Sequence, residues 1–345
     1  MSKVPSPAAA LWNQREAIAA LRERFRNFSV AIGELSSLSY YQWAQLASIV
    51  LEFRPDCIVE LGRDVGNSTA CFMEVANLLG PTNCHIVSLC RRSEWLTRTT
   101  PRIRKLVSPE WFNAADIRVC DIRECDARAL VKEADRCLVF WDAHGFEVAE
   151  WVLGRLLPEL VNKPHVILMH DLSDTRFEAG SREYPETGIW KGTNAREPGF
   201  WLGNIFSRVA QAISAVDFCT RNNLALHSAA ESLHSEIAGD SKKTMELREL
   251  LGDEFFSLEA HWFWFTLNEA PGDIFFPPYR PSMEVPQSIQ ELAADNRDLR
   301  NALLAVQNSA SWRILNKWRR MRDRAAPLNT FQRRLYDAVV RRFTL

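Results

Sequence analysis

The sequence predicts an α/β protein built on a doubly wound, mostly parallel sheet, with helices before it and a helical tail after it. Three observations carry that expectation. Continuous apolar runs alternate with helical patterns through residues 57–170, a glycine turn follows the first run directly, and two later runs end in acid and histidine. Apolar runs without polar alternation suit strands buried on both faces, the condition of a parallel sheet covered by helices.

In chain order, residues 8–27 put Leu11, Ile18, Leu21 and Phe25 at helical spacing, and 40–53 (YYQWAQLASIVLEF) form a second helix that Pro55 ends. Strand-like runs follow at 57–61 (CIVEL), 85–90 (HIVSLC), 116–120 (DIRVC), 137–142 (CLVFWD) and 165–170 (HVILMH). Helical patterns lie between them near 68–79, 126–134 and 147–161. That alternation is the pattern of parallel strands joined by crossovers. Residues 172–203, rich in Gly, Pro, Trp and charge, read as a lid or binding loop before a helix near 204–215. The runs 223–228 (NLALHS) and 261–267 (HWFWFTL) are candidate closing strands. The expected organisation is a helical segment over 1–39, the sheet domain over 40–270, a Pro-rich linker over 271–288, and a coiled coil with a basic amphipathic tail over 289–345.

Composition excludes several classes. With 47% hydrophobic and 25% charged residues in 345, the chain can bury a sizeable core and is neither disordered nor collagenous. No uncharged apolar run reaches the ~18–20 residues of a membrane span, and Arg15 and Glu16 arrive before any signal-peptide core, so a cytoplasmic protein is expected. Eight cysteines, seven of them between Cys57 and Cys137, show no zinc-site spacing and read as reduced, mostly buried small hydrophobes. Charge is unevenly placed: residues 297–345 hold twelve basic and three acidic side chains, so an acidic body carries a basic tail that suits an anionic partner.

The candidate site lies at the ends of the strands. In 59–69 (VELGRDVGNST), Gly62 and Gly66 permit a tight turn, and Asn67, Ser68 and Thr69 are suited to open a helix. Ligands of doubly wound sheets sit beside this turn, so a nucleotide-like cofactor is expected there. The run 137–142 delivers Asp142 and then His144, and 165–170 delivers His170 and Asp171. If the two strands are neighbours their ends lie about 5 Å apart. Asp142, His170 and Asp171 could then converge on one hard divalent cation; a core histidine is the alternative for His170. His144 is the candidate general base, histidine being the side chain that titrates near neutral pH, and a structural residue is its alternative. Within the 172–203 segment, Tyr184, Trp190, Lys191 and Trp201 offer flat faces and polar edges of the kind that pack on sugar rings.

Together, VELGRDVGNST, VFWDAHGFE (139–147) and VILMHDLSD (166–174) resemble the class I S-adenosylmethionine-dependent methyltransferases. Within that class they are similar to the magnesium-using sugar and small-molecule O-methyltransferases, the group that includes cephalosporin-hydroxylase-like proteins. The resemblance spans roughly residues 40–270. It implies a seven-stranded Rossmann-like sheet in which Glu60 and the turn of Gly62 and Gly66 hold the methionine part of S-adenosylmethionine. It also implies that Asp142, His170 and Asp171 take the places of Mg²⁺ ligands. Asp121, after the third strand, stands where such families contact the adenine end; a helix cap is its alternative. One departure is plain: the acid that usually holds the ribose hydroxyls is replaced by Cys90, followed by Arg91 and Arg92. Glu94 could reach the ribose instead. Two arginines there would also suit a 2′-phosphate, so an NADP-dependent oxidoreductase stays as an alternative, although the turn lacks GxGxxG.

In the tail, Ile289, Leu292, Asn296, Leu299, Leu303 and Val306 fill alternating heptad positions, expected either as a short homodimeric coiled coil through 289–306 or as a single amphipathic helix. Residues 311–324 (SWRILNKWRRMRDR) and 331–343 form basic amphipathic segments bearing Trp312 and Trp318, suited to an anionic membrane surface rather than to nucleic acid. NSASWRIL (308–315) resembles a Ser-Trp-Arg element near the ends of bacterial envelope polysaccharide enzymes. The sequence thus points to an O-methyltransferase, peripheral on the inner face of the cell membrane. Its substrate would be a sugar hydroxyl of a glycan or of its lipid- or nucleotide-linked precursor. A non-catalytic scaffold of a polysaccharide assembly is the alternative from another class.

Overall fold

A computed structural model describes residues 4–33, 38–170 and 211–279. These belong to the first of two compact units, Met1–Pro281; the second, Ser282–Leu345, lies outside the described residues, and with it the expected coiled coil, Ser-Trp-Arg element and basic tail.

Strands β1 (Cys57–Leu61), β2 (His85–Cys90), β3 (Ala115–Val119), β4 (Cys137–Trp141), β5 (His165–His170), β6 (His227–Ser228) and β7 (Trp262–Phe265) form one sheet in the order β3-β2-β1-β4-β5-β7-β6. β1 to β5 run parallel, and β7 runs antiparallel between β5 and β6. The helices are α1 (Pro7–Asn13), α2 (Arg15–Ile32), α3 (Tyr40–Phe53), α4 (Asn67–Leu79), α5 (Thr100–Ile103), α6 (Ala127–Val131), α7 (Phe146–Trp151), α8 (211–221), α9 (Ala229–Leu233) and α10 (Ser241–Phe255).

The apolar runs are strands because both sheet faces are covered. β1 and β4 are buried at every residue. Ile58, Leu138 and Leu168 join the core formed with α1–α4, α9 and α10, whereas Val59, Val139 and Ile167 join the core on the other face with α6, α7 and α8. The N-terminal helices are part of this body: Phe25 and Phe28 are fully buried, and Arg22 donates to the Leu250 carbonyl on α10. The segment expected as a linker is docked as far as Tyr279, with Phe276 and Tyr279 against the second core and Asn222 bonded to both backbone groups of Phe275.

Several elements differ from the sequence pattern. Residues 8–27 divide into α1 and α2 at Gln14, and α2 continues to Ile32, where left-handed Gly33 caps it. The expected helix 147–161 keeps only α7 as α-helix; the rest winds as a π turn over Val152–Leu156 and a 3-10 turn over Leu157–Leu160, where Pro158 has no N–H to give. The run 223–228 yields only the two residues of β6, since Asn223 turns at φ 51 and Leu224 bonds back to Cys219. All eight cysteines are free thiols, buried except half-buried Cys120 and Cys125. Among the described residues no helix is long and apolar enough to cross a membrane.

Candidate functional site

The register brings the strand ends into line. Leu61 pairs with Leu89 and Trp141, and Trp141 with Met169, so Gly62, Cys90, Asp142 and His170 emerge along one margin of the sheet. The order of strands reverses between β1 and β4, and the crevice at such a point is where doubly wound sheets take ligands.

Gly62 makes the junction possible. Its φ is 92°, and a Cβ there would stand 2.6 Å from the Asp142 carbonyl oxygen. The Gly62 and Asp142 amides extend the ladder by donating to Leu89 and Leu61. Gly66 serves a different neighbour: a Cβ there would fall 2.0 Å from the buried Trp95 ring. The glycine turn is thus shaped by β4 on one side and by Trp95 on the other.

Glu60 is fully buried. Ser68 and Thr69 at the start of α4 donate to its two oxygens at 2.5 and 2.7 Å, and Ser88 on β2 donates as well. Burial pushes its carboxyl above the ordinary value against the opposing pull of those three hydroxyls and of Arg63. Ser68, expected to meet a cofactor, is therefore spent on Glu60, as is Thr69. Asn67 is buried at the first turn of α4.

Arg63, which sequence reasoning passed over, is almost wholly buried beneath the turn. Its guanidinium donates to the Ser88 carbonyl and hydroxyl at 2.9 Å and reaches the Arg92 and Arg118 carbonyls at 3.4 Å. It ties the ends of β2 and β3 to β1, and the signal for it was a cation inside a glycine turn that follows a buried acid.

A cavity of about 360 Å³ opens above these strand ends, within the size range of small-molecule sites. Gly62 and Cys90 line it from the ends of β1 and β2, Asp121 and Ile122 from beyond β3, and His144 and Phe146 from beyond β4. Asp121 caps a 3-10 turn by accepting from the Arg123 amide, and its carboxylate is also paired with the side chains of Arg123 and Arg91. The bonds from Arg123, with help from Arg91, hold its carboxyl well below the usual range. The helix-cap reading of Asp121 is therefore present together with a position on the cavity wall. Arg92 is engaged by Asp64 and lies 3.7 Å from Glu94, so Glu94 faces that cation.

Asp142, His144 and His170 are brought together. His170 Nδ1 lies 3.1 Å and His144 Nε2 4.0 Å from Asp142 Oδ1. Two glutamines from distant parts of the chain complete the cluster. His144 Nδ1 is 2.6 Å from Gln211 Oε1 on α8, and His170 Nε2 is 3.2 Å from the amide nitrogen of Gln42 on α3. Gln42 is held by its own helix, where Ser39 N–H and Oγ–H donate to Oε1 at 2.8 and 3.0 Å. The Gln42 nitrogen must then donate to His170 Nε2, which leaves Nδ1–H to donate to Asp142.

Of the three residues expected at a cation, Asp142 and His170 are within hydrogen-bond reach of each other. Both His170 nitrogens are engaged within the protein, Mg²⁺ prefers oxygen in a near-octahedral shell, and among the described residues no group of three His, Cys, Asp or Glu side chains is arranged to hold a metal ion. Asp171 lies outside the described residues, as do Tyr184, Trp190, Lys191 and Trp201.

No protein-family model matches the sequence, and no curated protein matches it. Solved structures are similar at low identity. The apo-structure of CmcI is 20% identical over 38% of this chain and 52% of its own, with a TM-score of 0.28. The SAH-bound methyltransferase PaMTH1 of Podospora anserina is 15% identical over 58% and 80%, with a TM-score of 0.41. CalS11, a TDP-rhamnose 3'-o-methyltransferase of calicheamicin biosynthesis, is 16% identical over 39% and 63%, with a TM-score of 0.32. The match to CmcI spans about half of that chain's length.

Proposed function

We propose that the chain is an S-adenosylmethionine-dependent O-methyltransferase whose acceptor is a sugar hydroxyl, on a glycan or on its lipid- or nucleotide-linked precursor. The observation that carries the reading is the cavity at the β1/β4 reversal, which has the Gly62 turn on one wall and His144, beside Asp142, on another. The residues fit the cofactor in outline. Gly62, Cys90, Asp121 and exposed Phe146 line the cavity; there Cys90 would face the ribose and Asp121 the adenine end. When bound, the cofactor supplies a methyl group already activated on a sulfonium. What remains for the protein is to align the acceptor oxygen and take its proton. His144 is the base for that proton, and the Asp142 carboxylate beside it favours the charge the imidazole gains. No step is assigned to a metal ion.

The reductase alternative has less support, because the turn lacks GxGxxG and Arg91 and Arg92 already pair with Asp121 and Asp64. The sugar acceptor rests on the aromatic residues of 172–203 and on the Ser-Trp-Arg element. We place the protein at an anionic membrane surface through 308–345, with self-association through 289–306, on sequence grounds alone.

Calorimetry tests the core of this reading. S-adenosylmethionine and its demethylated product are expected to bind and NADPH is not; binding of NADPH alone would overturn the reading, and binding of neither would favour the scaffold. In flotation, the full chain is expected to rise with anionic vesicles and to stay behind with neutral ones.

A further inference from the structure

The buried amide of Gln211 stands where it can decide which nitrogen of His144 carries the proton. Gln211 is fully buried on α8, sixty-seven positions from His144 in the chain. Its Nε2 lies 3.3 Å from the Trp141 carbonyl oxygen, the last backbone acceptor of β4. A carbonyl oxygen only accepts, so the amide nitrogen belongs on that side and Oε1 on the other. Oε1 in turn only accepts, and it lies 2.6 Å from His144 Nδ1. The ring nitrogen facing it must therefore be the one that bears hydrogen, because two acceptors at that distance would repel.

We infer that Gln211 is a positioning residue that fixes His144 as the Nδ1–H tautomer and turns Nε2, as the proton acceptor, toward Asp142. The inference rests on the proposed reading for its purpose, since a base that takes a hydroxyl proton needs an unprotonated nitrogen at the acceptor. Its physical content does not depend on any cofactor. The neutral ring of free histidine prefers hydrogen on Nε2, the wrong nitrogen for this task. The second ring of the cluster has the same form, His170 Nδ1–H donating to Asp142 while Gln42 donates to Nε2. The Asp142 carboxylate is thereby held as an acceptor only 4.0 Å from His144 Nε2. Once Nε2 has taken a proton, that N–H meets a carboxylate already oriented by His170. The proton moves from the acceptor hydroxyl to Nε2, and the hydroxyl oxygen keeps the electron pair with which it attacks.

Long-range ¹H–¹⁵N correlation spectra of the full chain, labelled at histidine, read tautomers directly. The measurement is made about two pH units above the ordinary histidine value. His165 is the internal reference: Leu267 N–H donates to its Nε2 and Lys163 O faces its Nδ1, both backbone groups independent of the site. His144 is assigned by its loss in His144→Asn. In the wild type its Nδ1 is expected to show the pyrrole-type shift and Nε2 the pyridine-type shift. Gln211→Leu is expected to exchange the two with His165 unmoved, and Gln211→Glu, which keeps an acceptor at Nδ1, is expected to restore the wild-type pattern. An Nε2–H ring in the wild type would overturn the inference, and so would an unchanged His144 pattern in folded Gln211→Leu. If that variant loses the His165 signals, the wild-type pattern and Gln211→Glu decide. Failure of calorimetry with S-adenosylmethionine alongside the expected tautomers would sink the methyltransferase reading and leave this one standing.

Discussion

Replacing Gly62 with alanine tests whether the glycine turn is held by contact with β4 or merely by its own backbone. Alanine at φ 92° carries a conformational cost of about 1–2 kcal/mol. The added methyl would also stand 2.6 Å from the Asp142 carbonyl oxygen, 2.8 Å from its carbon and 2.9 Å from the Ala143 nitrogen, all backbone and none able to swing aside. Overpacking of that kind adds about 1–3 kcal/mol. The sum, about 3.5 kcal/mol in the middle of the range, corresponds to a fall in Tm of roughly 5–6 °C at this size, with an unfolding entropy of about 2.1 cal/mol/K per residue. Gly145 supplies the control. Its φ is 114°, but a Cβ there meets nothing within 4 Å, so Gly145→Ala bears the backbone cost alone. Melting of both variants by calorimetry or circular dichroism separates the two terms. Equal losses would refute the argument that β1 and β4 are locked at this point. The same shift should disturb Asp142, so S-adenosylmethionine affinity should fall with Gly62→Ala.

Other expectations are independent of that one. Glu60 has a carboxyl raised by burial, so its contribution to stability is full below the unfolded value and lost as pH rises through the folded one. Glu60→Gln should therefore gain on the wild type in denaturant titrations as pH rises above the ordinary carboxyl value, by about 1.4 kcal/mol for each unit of raised pKa; a gap independent of pH would contradict it. His165 is shifted the other way by burial, so stability should be retained above its ordinary value and decline as pH falls below it. His165→Gln should show a shallower acid decline. In a turnover assay, His144→Ala should lower the rate by about 10²–10⁴ while leaving the cofactor bound; near-normal turnover would remove His144 as the base.

What was legible in the sequence was whatever burial imposes on neighbouring residues. Strands covered on both faces write themselves as unbroken apolar runs, and β1, β2, β4 and β5 are legible within a residue on that basis, whereas β3, carrying Asp116 and Arg118, is half-buried to exposed. The approach of Asp142 and His170 followed from assuming that β4 and β5 are neighbours, which they are. The partners that give those groups their geometry were not legible. Gln42 lies 128 positions from His170, and a glutamine on a helix ordinarily reads as surface. Arg63 left only the trace of a cation inside a glycine turn, because a cation is expected to reach water, and the cluster of carbonyls at the ends of β2 and β3 explains why it does not. Trp95 against Gly66 belongs to the same class, a contact across 29 positions that no periodicity records.

The sheet ends on one side in β3 and on the other in β6, and neither rim invites another strand. β6 offers two residues, too few to template a partner. β3 offers five, with Arg118 and Asp116 paired at 2.6 Å along its exposed margin, the kind of charge that discourages edge-to-edge addition. Among the described residues the two rims therefore offer little backbone ladder by which copies of this body could zip together when crowded on one surface.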